Sequence, residues 1–216
     1  MSGGSRPTRL PGAPDPAAGA SAEARSRSLA SPPTVAGAEA PLGRLLGPVG
    51  TKPSPDARAW SRGAAGERAT AQVLDPLRYI GWEVLHDRRL PGAANLDHLL
   101  IGPGGVWVVD SKSYRGRIVV LRDGRLWYAG RRLGPVLDVV QWAAGVVSDT
   151  LGVPVSPALC VHGAGLPVDP LRWDSVVLAS AAVLRRLLVA ADQRPGHPLG
   201  ELAAIAFDRF PPAYRR

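Results

Sequence analysis

A single cysteine in 216 residues cannot close an intramolecular disulfide, which excludes a disulfide-stapled secreted scaffold. It also excludes a Cys/His zinc ribbon, which needs several thiolates. Long apolar runs are missing as well. The longest, 176–184, contains Ser180 and stops at Arg185. A membrane span takes roughly 18 or more apolar residues, so none is expected. Residues 1–30 hold no apolar stretch of the kind a secretory leader carries. The expectation is a cytoplasmic protein with no membrane partner. Lysine is scarce too: Lys52 and Lys112 are the only two among 26 Lys+Arg. A chain that otherwise uses Arg for its positive charge gives weight to a Lys inside the folded region. Lys is a compact point charge with a tunable pKa, whereas Arg is a planar fork that keeps its proton.

What is present suits one domain with spare chain. The apolar fraction is 45%, enough for a core. The formal charge of +8 favours a polyanionic partner, and nucleic acid is the natural one. Residues 1–55 hold ten prolines, eight glycines and no aromatic residue. Such a stretch lacks the apolar surface to offset its ordering entropy. Residues 1–58 are therefore expected to be a disordered tail, with the short apolar run 42–46 as a weak docking segment. The folded domain is expected over 59–210, with a short C-terminal tail at 211–216. All six Trp fall between Trp60 and Trp173.

Periodicity within the domain predicts an α/β fold, with a central mixed sheet flanked by helices on both sides. A helix over 62–79 is expected to break or bend near Pro76. Strands are expected at 82–87, 96–101 and 106–113, the last two joined through Gly102-Pro-Gly-Gly105. A separate hairpin is expected at 117–122 and 125–129, over a two-residue Asp123-Gly124 turn. Gly134-Pro135 opens a helix to about Leu151. Strands at 155–161 and 175–179 and helices at 181–191 and 199–207 complete the order.

Four side chains stand out as chemistry. Asp110 and Lys112 lie two apart in a strand and so project to one side. Val106 and Val108 share that face, so an apolar run ends in a carboxylate and an ammonium. Burying such groups costs several kcal/mol unless they are paired or bind a metal. Asp97 approaches Asp110 if the second and third strands pair. Glu67 lies on the first helix, on the face of Ala71 and Leu74. Neighbouring carboxylates raise each other's pKa, and a divalent cation relieves the repulsion. Mg²⁺ takes one or two carboxylates, keeps several waters and accepts phosphate oxygens. Asp97, Asp110 and the Ser111 carbonyl form the expected ligand set for Mg²⁺ or Mn²⁺, with Glu67 reaching the metal through water or binding a second one. Lys112 would position the water and stabilise developing charge.

The segments Gly66-Glu67, Gly81-Trp-Glu-Val-Leu-His-Asp87 and Asn95-Leu-Asp-His-Leu-Leu-Ile-Gly-Pro-Gly-Gly-Val-Trp-Val-Val-Asp-Ser-Lys-Ser-Tyr-Arg-Gly116 resemble the nuclease-related domain (NERD). That family is similar to the PD-(D/E)xK, restriction-endonuclease-like nucleases. The resemblance covers about 60–190 and is strongest over 95–116. It implies a restriction-endonuclease-like core and a Mg²⁺-dependent hydrolase cutting phosphodiester bonds, with DNA ahead of RNA as substrate. It implies that Asp97 is the first metal-binding Asp, that Asp110 and Lys112 are the (D/E)xK pair, and that Glu67 is the acid of the first helix. Gln141 is the candidate for the Gln the family carries in the helix after the sheet. Tyr114 and Gly116 match the aromatic residue and Gly that follow the Lys. A homodimer fits a substrate of two strands.

Other residues carry plainer readings. Tyr114, Arg115 and Arg117, with Arg122 and Arg125, either line a phosphate path or form the solvent face of an edge hairpin. His98 points to the opposite sheet face as a packing or hydrogen-bonding His. His86, His162 and His197 lack a partner at ligand spacing. Cys160, Trp107, Trp127 and Trp142 read as core. Two readings compete with the nuclease. One is a module of the same fold that binds nucleic acid without cutting it. The other is a protein-interaction role for the Pro-rich tail. A two-carboxylate glycosidase has no use for the Lys.

Overall fold

The computed structural model describes residues 55–91, 94–191 and 198–213, together with Ala20. Helix α1 (Pro55–Leu74) is followed directly by a 3₁₀ helix (Asp75–Ile80). Strands β1 (Glu83–Arg89), β2 (Asn95–Gly102), β3 (Gly105–Val120), β4 (Leu126–Tyr128) and β5 (Arg131–Arg132) come next. Helix α2 (Gly134–Leu151), strands β6 (Val155–Gly165), β7 (Leu171–Trp173) and β8 (Val176–Ser180), then helices α3 (Ala181–Ala190) and α4 (Leu199–Arg209) complete the chain. The run 42–46 and His197 lie outside the described residues, as does the tail expected at 1–58 apart from Ala20 and the start of α1. Among the described residues no helix is long and apolar enough to cross a membrane.

The central sheet is mixed, with strand order β1-β2-β3-β6-β8-β7. β1, β2 and β3 form an antiparallel meander. α2 then crosses over so that β6 pairs parallel with β3, and β8 pairs parallel with β6. Helices cover both faces. On one face Leu85, Leu99, Ile101, Val106 and Val108 pack against Ala143, Ala144, Val147 and Leu151 of α2 and Leu202 and Ala206 of α4. On the other, Val84, Leu100, Val109, Ala158 and Val177 pack against Leu74, Leu77 and the α3 residues Val183, Leu184 and Leu188. The 3.6-residue spacing of Leu137, Val140, Ala144, Val147 and Leu151 gives α2 its single buried stripe. Pro at the first turn starts α2, and Gly152 in the left-handed region (φ 68°) ends it.

The expected break at Pro76 is seen as the change from α to 3₁₀ geometry after Leu74. Three expectations are corrected. β3 does not stop at Ser113 but runs on to Val120, because β6 continues beside it to Gly165. A bulge between Ser113 and Gly116, with Gly116 at φ 95°, absorbs the irregularity. The hairpin loop has three residues, not two. Val120 pairs with Leu126, Leu121 N donates to Arg125 O, and Gly124 takes φ 79° after the turn. Trp142, 48% exposed on α2, and Trp127, half-buried on β4 outside the core clusters, are not core. β5 and β7 were not anticipated; two or three residues are too few to show a period.

Candidate active site

The carboxylates meet through the β2–β3 ladder. The last pair of that ladder is His98 with Val109, which leaves Asp97 and Asp110 side by side just past its end. Ser111 N donates to Asp97 Oδ2 at 2.8 Å, which draws the Asp97 carboxylate toward β3. Lys112 Nζ forms an ion pair with Asp110 Oδ2 at 2.6 Å and donates to the Ser111 carbonyl at 3.4 Å. Asp110 Oδ2 is shut off from solvent and accepts no hydrogen bond of good geometry. α1 passes over β3 with Gly66 beside Ser113, where a side chain would crowd the Ser113 hydroxyl. The next residue, Glu67, thereby comes within electrostatic reach of Asp110 and Lys112.

The cluster gathers more acids than Lys112 can balance, and their proton affinities rise in response. Burial, then Asp87 and Asp110, push the Glu67 carboxyl from 4.5 up to about 7, against the pull of Lys112 and Arg68. Burial, then Asp110 and Glu67, raise Asp97 well above the carboxylate range, although Lys112 and the Ser111 N–H oppose it. Burial disfavours the Lys112 ammonium, but Asp110 and Asp97 outweigh it and hold its pKa above the ordinary lysine value. Asp87, the last residue of the segment 81–87, is not among the site residues expected from the sequence. It is a buried carboxylate in β1 with φ 49°, close enough to raise Glu67. Its sequence signal is its place at the end of a segment that resembles the family, with no spacing to the other acids.

Gln141 makes its hydrogen bonds to a different pair of side chains. Its amide donates to Asp174 Oδ2 at 3.0 Å and to Ser175 Oγ at 2.9 Å, in the turn between β7 and β8. Tyr114 stacks on Tyr128 with ring centroids 4.4 Å apart, and burial raises its phenol. Arg115 and Arg117 are exposed on β3 beyond the cluster.

Behind β3, on the face turned to α1, runs a chain of buried polar side chains. Thr70 Oγ1 donates to the Gly66 carbonyl at 3.1 Å and accepts from Ser111 Oγ at 2.8 Å. With its own proton so committed, Ser111 Oγ accepts from His98 Nε2 at 3.0 Å. His98 Nδ1 is then the acceptor for His86 Nδ1, 2.6 Å away. His86 Nε2 faces Asp75 Oδ1 at 3.2 Å. Each of those two acceptors faces a ring nitrogen of His86. Burial holds His98 well below its ordinary value and therefore neutral, as the pattern requires. His162 Nε2 joins from β6, 2.7 Å from Thr70 Oγ1 and 3.6 Å from Cys160 Sγ. Cys160 is fully buried as expected, and burial pushes its thiol up to about 11, so it is inert at neutral pH. Ser111 joins the two faces, with its N–H on Asp97 and its hydroxyl in the chain.

Among the described residues no three His, Cys, Asp or Glu side chains converge closely enough to enclose a metal by themselves. Two carboxylates and a backbone carbonyl still suit a hard cation that keeps its waters. Residues 62–161 match the model of the family described as NERD, the nuclease-related domain. Comparison with curated proteins and with solved structures gives no match.

Proposed function

We propose that this chain, whose residues 62–161 carry the nuclease-related domain, is a divalent-metal-dependent phosphodiesterase acting on nucleic acid, with DNA ahead of RNA. The observation that carries the reading is Asp97 and Asp110 side by side at the end of the β2–β3 ladder, with Lys112 ion-paired at 2.6 Å to a solvent-shielded Asp110 oxygen. Positive charge is wanted there, and the acids outnumber the one lysine.

Asp97, Asp110 and the Ser111 carbonyl would hold Mg²⁺ or Mn²⁺, with Glu67 reaching it through water. A cation bound there would supply charge that relieves the carboxylate repulsion and polarises the phosphoryl group. Lys112 stays protonated at any working pH and donates N–H to the attacking water or to a phosphoryl oxygen. Glu67, raised to about 7 in the metal-free protein, would be drawn down by a bound cation and stand ionised, ready to take a proton from that water near neutral pH. Ser111 N fixes the Asp97 carboxylate so that little reorganisation accompanies the step.

The test is cleavage of labelled duplex, single-stranded and branched DNA and RNA with Mg²⁺ or Mn²⁺. Asp110→Asn and Lys112→Ala are each expected to slow cutting by about 10²–10⁴-fold with unchanged circular dichroism. No cutting by the wild type, or cutting that persists in both variants, overturns the reading.

A further inference from the structure

Past the bulge at Gly116, β3 leaves the carboxylate cluster and pairs with β4, which pairs with β5, in a three-stranded arm. One side of this arm is core: Ile118 and Leu126 are buried against Leu133, Leu137 and Val140. The register brings Val119, Trp127 and Arg132 side by side on the other face. Arg117, two residues before Val119, shares that face. Arg117 and Arg132 are exposed, Val119 is 44% exposed, and Trp127 between them is half-buried.

The charge of the arm is lopsided. Residues 115–132 contain six Arg against one acid, Asp123. Asp123 pairs with Arg125 at 3.4 Å. Arg115, Arg117, Arg122, Arg131 and Arg132 are all exposed and make no ion pair among the described residues. Like charges gathered this closely repel, and a polyanion relieves them. Planar guanidinium groups suit phosphate oxygens, and an indole among them suits a base or sugar. The arm is also continuous with the candidate site. Lys112 and Arg117 lie five residues apart on one strand, roughly 16 Å at 3.3 Å per residue, or about five base-pair steps of duplex.

We propose that the outer face of the β3–β4–β5 arm, centred on Arg117, Trp127 and Arg132, grips the phosphodiester backbone of the nucleic acid a few nucleotides from the bond presented to Lys112. The substrate class rests on the function proposed above; the grip itself is tested without cleavage.

The experiment measures binding of the full-length Asp110→Asn protein to a fluorescein-labelled duplex by anisotropy across a KCl series. Arg117→Glu/Arg132→Glu is expected to weaken binding at least tenfold near 0.1 M salt. It is also expected to reduce the slope of log K against log[salt] by about 2, near 0.9 per lost phosphate contact. Arg117→Gln/Arg132→Gln should weaken binding by a smaller factor with a similar change in slope, which excludes misfolding of the Glu pair. The comparison pair is Arg185→Glu/Arg186→Glu on exposed α3, which changes the net charge equally and should leave affinity within about twofold. Equal losses for the arm and α3 pairs, or no loss for the arm pair, overturn the proposal. Arm-dependent binding by a wild type that cuts nothing leaves the arm standing and removes the nuclease. Cutting with an unchanged KM in the arm variants does the reverse.

Discussion

Ser111 serves two neighbourhoods at once. Ser111→Ala keeps the amide on Asp97 but strands His98 Nε2 and one bond to Thr70 in a buried site. The expected cost is about 1–3 kcal/mol, read as a lower urea midpoint with an unchanged slope. Glu67 predicts a pH dependence. Its folded pKa is raised from 4.5 to about 7, so between those values the native state binds more protons than the unfolded state. Its contribution is therefore complete below about 4.5 and lost as the pH rises through 7. Asp97 is shifted in the same direction. Metal-free protein should melt at a lower temperature at pH 8 than at pH 5.5, and Glu67→Gln should flatten that profile. A thermal-denaturation series across pH checks both. The positions of Asp97, Asp110 and Lys112 were legible because strand alternation and one tight turn fix which side chains meet. The His86–His98–Ser111–Thr70–His162 chain was not legible. Its members come from α1 and four strands, and no local spacing records which of them will touch.

At the level of elements, the β2–β3 turn is held by Trp82. A Cβ at Gly102 would run into the Trp82 indole, and one at Gly104 would run into Ala191. Gly102→Ala is expected to destabilise by about 1–3 kcal/mol, since a packed ring must move. Gly145, inside α2, has open space around it. Gly145→Ala should instead stabilise by about 0.5–1 kcal/mol. Opposite shifts in denaturation midpoint check the pair. Helix α2 was readable to the residue because Pro, a buried stripe and a terminal Gly agree. The length of β3 was not readable. Tyr114-Arg115-Gly116 looks like a separator, and only pairing with β6 carries the strand across it. The hairpin loop misled for a related reason. Asp-Gly is compatible with both a two-residue and a three-residue loop, and the Val120–Leu126 pairing decides between them.

For the whole molecule, metal binding should appear as stability. A cation at one hundred times its Kd raises folding stability by about 2.7 kcal/mol. Mg²⁺ or Mn²⁺ should therefore raise the melting temperature of the wild type and not that of Asp97→Asn/Asp110→Asn. An equal rise in both would place the cation elsewhere. The double variant also removes the counter-charge of the buried Lys112, so its own metal-free melting temperature is the baseline for the comparison. The mixed α/β class followed from the alternation of strands and helices. The strand order did not, since nothing local assigns β6 to the free edge of β3.

That assignment governs how the chain is made. Every charged group of the candidate site lies within 67–112, and β2 and β3 can pair as soon as they emerge from the ribosome. β3's other edge waits for residues 155–165, a delay of roughly 2–8 s at 5–20 residues per second. During it the nascent chain shows a Val-rich strand with unpaired backbone groups. A polypeptide stopped short of residue 155 thus carries every acid and the lysine of the site, but leaves that edge of β3 open to pairing with another chain.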